Sequence, residues 1–65
     1  MLVLSRKTQE SVVVGGLANS EPPIIVTVLE IRGGRVRLGF EVAKDIPVHR
    51  HEVWQRLREG QRPEE

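Results

Sequence analysis

The sequence predicts a small, mainly β domain: five short antiparallel strands and one C-terminal α-helix, completed as an intertwined homodimer with strands exchanged between protomers. Branched aliphatic residues come in short runs with an alternating period, and residues 24–31 are almost wholly β-branched or aliphatic. Glycine pairs at 15–16 and 33–34 punctuate those runs, where tight turns require positive φ. Only near the end does the period become helical, with Val53, Trp54 and Leu57 on one face.

Residues 1–5 read Met-Leu-Val-Leu-Ser, a branched-chain run suited to a strand buried on both faces. Thr8 and Gln9 break it, residues 10–14 form a second strand, and Gly15-Gly16 stop that one. The loop at 17–23 holds Asn19, Ser20 and the pair Pro22-Pro23, which cannot continue a sheet. The third strand, 24–31, divides by alternation into Ile25, Thr27, Leu29 and Ile31 against Ile24, Val26, Val28 and Glu30. After the turn at Gly33-Gly34, residues 35–40 point Val36, Leu38 and Phe40 inward and Arg35 and Arg37 outward. Residues 46–48 make a short fifth strand, which Pro47 places at an edge because proline has no ladder donor. The helix spans about residues 50–59. Glu52 sits in its first turn, Arg56 and Arg58 in its last, and Gly60 stops it. Residues 1–60 are one domain, and 61–65 are expected to be a flexible C-terminal tail.

A chain of 65 residues hides only roughly 60% of the surface its unfolded form exposes. Domains this small need disulfides, a metal or self-association. With no cysteine, and Phe40 and Trp54 as the only aromatics, self-association is the route left. The first and last strands have no hairpin partner nearby, and exchange between two chains would cover both edges. The absence of cysteine suits a reducing compartment. No signal peptide and no membrane span are read from the sequence, so a cytoplasmic protein is expected.

The net charge of +1, from ten Lys and Arg against nine Asp and Glu, gives no overall pull toward nucleic acid; only a local cluster would. Two clusters exist, Ser5-Arg6-Lys7 after the first strand and Val48-His49-Arg50 before the helix. Each reads either as solvated charge at an element end or, if exchange brings them together, as a groove for phosphates and unstacked bases of RNA or DNA. Catalysis is not expected. Serines 5, 11 and 20 lack a base with an orienting partner, and no glycine pair leads into the lysine and helix of a phosphate loop. His49 and His51 are too few to hold a metal, so no metal site and no cofactor are expected. A protein-binding module using exposed strand edges is the competing class.

Several segments carry a resemblance. Met-Leu-Val-Leu-Ser-Arg-Lys at 1–7, Gln9-Glu10-Ser11, Val26-Thr27-Val28-Leu29 and Gly33 through Gly39 are similar in order to the carbon storage regulator family (CsrA/RsmA). So is Ile46-Pro47-Val48-His49-Arg50 running into Glu52-Val53. The resemblance covers residues 1 to about 57. It implies an interlocked homodimer that binds messenger RNA at GGA-containing sites, mostly in hairpin loops near the ribosome-binding site. The outcome would be repression of translation initiation or altered mRNA stability. It further implies possible titration by decoy small RNAs and antagonism by a protein such as a flagellar assembly factor.

Carried onto this sequence, the implied RNA-binding residues are Leu4, Ser5, Arg6 and Lys7 from one chain and Ile46, Val48, His49 and Arg50 from the other. Arg50 would reach base edges and backbone, and Arg6 and Lys7 would hold phosphates. Leu4 and Val48 would either shape the groove or pack at the interface. Four positions depart from the family pattern. The connection at 17–23 is longer than usual, Ala43 replaces a common proline, Gly34 a frequent asparagine, and Trp54 a frequent tyrosine.

Overall fold

The computed structural model describes residues 1–18 and 20–60. Three strands, β1 (Ser11–Val14), β2 (Ile24–Arg32) and β3 (Arg35–Glu41), form one antiparallel sheet in the order β1-β2-β3, and α1 (His51–Arg58) follows. The chain is therefore mainly β with a C-terminal helix. Two of the five expected strands, 1–5 and 46–48, carry no ladder in this chain. A strand exists through hydrogen bonds to a neighbour, and the described residues of one chain offer these two segments none. The expected tail at 61–65 lies outside the described residues.

The sheet is built as its sequence dictates. Gly33 (φ 50°) and Gly34 (φ 79°) both take positive φ, so a two-residue loop joins β2 to β3 with a twist matching the strands. Register pairs Val26 with Phe40, Val28 with Leu38 and Ile31 with Val36. It shifts between Val28 and Glu30, leaving Leu29 as a bulge. The bulge alters the expected alternation: Ile31 joins the face of Val26 and Val28, and Glu30 falls opposite Arg37.

Gln9 secures the bulge. In the left-handed region at φ 73°, it donates its backbone N–H to the Val28 carbonyl at 2.7 Å and its side-chain amide to the Leu29 carbonyl at 3.3 Å. The longer loop is held by Glu21, whose carboxylate accepts the Gly16 N–H at 3.1 Å.

One face of the sheet is apolar: Val12 and Val14, paired with Val26 and Ile24, continue the row of Val28, Ile31, Val36, Leu38 and Phe40. None of it is buried, nor is any other described residue. The expectation that Val36, Leu38 and Phe40 point into a core is thus not met within one chain, where they are 56%, 46% and 44% exposed. No Cα of α1 lies within 8 Å of a strand Cα, so the helix does not cover that face. The chain exposes 6179 Å², against about 4,200 Å² for a compact fold of its 7.4 kDa mass. Its radius of gyration is 14.5 Å, against about 11 Å for a compact chain of this length.

Candidate functional site

The first expected cluster borders a cleft lined by Leu4, Ser5, Arg6, Ser11 and Val12. Arg6 is tied to the sheet. It donates Nε to the Ser5 carbonyl at 3.1 Å and Nη1 to the Ser11 carbonyl at 3.2 Å, and its Nη2 lies 3.1 Å from Glu10 Oε1. The same Glu10 oxygen accepts the Lys7 backbone N–H at 2.8 Å, and the Lys7 carbonyl accepts the Glu10 N–H at 3.0 Å. A tight turn at residues 7–10 thus sets the direction in which residues 1–6 leave the sheet. The Lys7 ammonium makes no ion pair among the described residues. Two cations therefore differ: Arg6 is oriented by three acceptors, while Lys7 is left to move.

The second cluster borders a different cleft. Val48, His49 and Arg50 face Val36, Leu38 and Phe40 across it, so one wall is the apolar row of β3 and the other carries imidazole and guanidinium. Arg50 is the residue before the helix, extended at φ −62° and ψ 151°, and its carbonyl accepts the Trp54 N–H at 2.9 Å. Its side chain is 77% exposed, with Nη1 3.3 Å from Glu52 Oε2. An exposed pair of that kind contributes about 0–1 kcal/mol and is readily exchanged for a phosphate.

Ile46 stands outside this cleft. It donates its N–H to the Ala43 carbonyl at 3.0 Å, closing the turn at 43–46. His51 lies against Trp54 with ring centroids 6.1 Å apart, and the Arg58 guanidinium sits 5.5 Å from the Trp54 ring centroid.

Within one chain the two clusters line separate clefts and share no lining residue. Sequence reasoning missed Glu10 as the group that orients Arg6, although its spacing of four from Arg6 was visible. It also missed the wall that Val36, Leu38 and Phe40 supply to the Arg50 cleft, which only the tertiary fold creates. No described helix is long and apolar enough to cross a membrane.

A profile of CsrA, described as a global regulator protein family, matches residues 1–59, nearly the whole chain. The chain belongs to the CsrA family. A relative, the translational regulator CsrA of Rhodopirellula baltica (strain DSM 10527 / NCIMB 13988 / SH1), is 50% identical over 54 residues, which span 83% of this chain and 69% of that protein. The span that matches the CsrA family includes both clusters. The CsrA match also takes in the unpaired stretches at 1–5 and 46–48.

Proposed function

We propose that this chain is a non-enzymatic translational regulator: a cytoplasmic homodimer that binds GGA-containing sites in messenger RNA, represses translation initiation or alters transcript stability, and needs no cofactor. One observation carries the reading: both clusters flank strand-like segments without a ladder, beside an apolar face that no described residue buries. Pairing residues 1–5 of one protomer with 46–48 of its partner completes two ladders and buries that face. It also joins Leu4, Ser5, Arg6 and Lys7 of one chain to Ile46, Val48, His49 and Arg50 of the other.

In such a groove strand-edge amides and carbonyls recognise unstacked bases. Arg50, held at the end of an extended segment by the start of α1, presents a planar, permanently charged fork to base edge and phosphate. Arg6 adds a fixed positive charge and Lys7 a mobile one. Decoy RNAs carrying the same sites would compete for the groove, and a protein antagonist such as a flagellar assembly factor would act by covering or distorting it.

The test is a gel shift with a hairpin presenting GGA in its loop, beside the same hairpin with the loop altered, and native mass spectrometry at micromolar concentration. A dimer that prefers the GGA loop, with binding that falls as salt rises, is expected. Arg50→Ala should weaken GGA binding by about 5- to 150-fold, corresponding to about 1–3 kcal/mol, and leave the dimer mass unchanged. A monomer, or equal binding to both loops, refutes the reading.

A further inference from the structure

The β2–β3 hairpin carries a charged surface that shares no residue with either cleft above. Glu30, Arg32, Gly33, Arg35 and Arg37 line one open cleft at its tip. Register sets Arg32 directly opposite Arg35 and Glu30 directly opposite Arg37, so all four charged side chains stand on one face. It is the face opposite Val36, Leu38 and Phe40. Three guanidiniums and one carboxylate give this cleft a charge of +2, which exceeds the +1 of the whole chain. The nearly neutral total conceals a concentrated basic site.

The ion pairs do not quench it. Glu30 is divided between Arg37 Nη1 at 3.6 Å and Arg32 Nη1 at 3.9 Å, both side chains largely exposed, and pairs of that length and exposure are weak. Arg35 makes no ion pair among the described residues. Moreover, like charges directly across a ladder destabilise a hairpin, and Arg32 against Arg35 is such a pair, next to the turn. That local conflict has no role in holding the sheet together. An anion seated between the two guanidiniums converts it into an attraction. The turn leaves room for one, since a Cβ added at Gly33 or Gly34 would meet nothing within 4 Å.

We infer that the hairpin tip is a second, sequence-independent contact for RNA, in which Arg32 and Arg35 clamp one backbone phosphate and Arg37, released from Glu30, holds a neighbouring one. The inference rests on the RNA-binding reading above and extends the bound length of RNA beyond the GGA groove. Glu30 gives the clamp direction, because its carboxylate lies beside Arg37 and makes that end less attractive to a phosphate than the Arg32–Arg35 pair.

The experiment uses the full chain and the double variant Arg32→Gln/Arg35→Gln, with GGA and altered-loop hairpins that both carry single-stranded flanks, over a salt series. Each lost phosphate contact lowers the slope of log K against log salt by about 0.7 on single strands and about 0.9 on duplex. A slope lower by about 0.7–0.9, with binding to both RNAs weakened by the same factor, is expected; Glu30→Gln should strengthen both alike. An unchanged slope with GGA preference intact overturns the hairpin contact alone. A reduced ratio between the two RNAs overturns it as well, by showing that these arginines read bases. RNA binding that is unchanged while retention on poly-glutamate is lost overturns it in favour of an acidic protein partner. If the wild-type chain shows no GGA preference, the RNA-binding reading fails and this inference falls with it.

Discussion

Truncating Phe40 to alanine distinguishes a protomer that stands alone from one completed by a partner. In the single chain Phe40 is 44% exposed, packed over Val26 across the ladder and forming part of the wall opposite Val48. Fully buried Phe→Ala changes cost about 3–5 kcal/mol, the sum of lost transfer free energy and a residual cavity. A side chain only about half covered loses about half the transfer term, and an open face leaves no closed cavity. The lone protomer therefore predicts a loss of about 1–1.5 kcal/mol. A dimer that closes the apolar face predicts about 3–4 kcal/mol per protomer. Urea unfolding at several protein concentrations measures the difference, because the midpoint of an obligate dimer rises with concentration. A loss below about 1.5 kcal/mol together with a concentration-independent midpoint would refute the closed-face argument.

Other substitutions probe the local devices. Glu10→Gln keeps an acceptor for the Lys7 N–H but removes the charge beside Arg6; it should cost about 0.5–1 kcal/mol in urea unfolding, since both partners of the pair are about 40% exposed. Gly16→Ala should destabilise more than Gly34→Ala by the same measurement. Both positions have positive φ, a cost of about 1–2 kcal/mol for a residue with a side chain. At Gly16, however, the new Cβ would also lie 2.7 Å from Pro23 Cβ and 3.0 Å from its Cα, forcing the loop to shift. Equal losses at the two glycines would show that the contact with Pro23 is not maintained in solution.

The elements with local causes were legible in the sequence. Positive φ at Gly33-Gly34 forces a two-residue hairpin whatever surrounds it, and β-branched residues at 24–28 fit a strand in almost any context. The helix was equally plain: its acidic first turn, basic last turn and Gly60 lie within a dozen residues of one another. Leu29 as a bulge was not legible, because the shift arises from hydrogen bonds that Gln9 sends across to Val28 and Leu29, twenty residues away. An unbroken alternation was the natural reading of residues 24–31 without that contact.

The site divides in the same way. Composition, charge spacing and the order of segments were enough to nominate Arg6, Lys7, His49 and Arg50, and to predict that so small a cysteine-free chain cannot complete a core by itself. Which cations are paired was decided by the fold: the turn at 7–10 brings Glu10 onto Arg6 and not onto the Lys7 ammonium, while Glu30 is shared too thinly to neutralise three arginines. The unsatisfied segments at 1–5 and 46–48 express the same distinction. Sequence determines that a segment is strand-like through its side chains, but a ladder requires a second backbone at about 4.8 Å. Only the folded arrangement shows that the described residues supply no such neighbour to either of them.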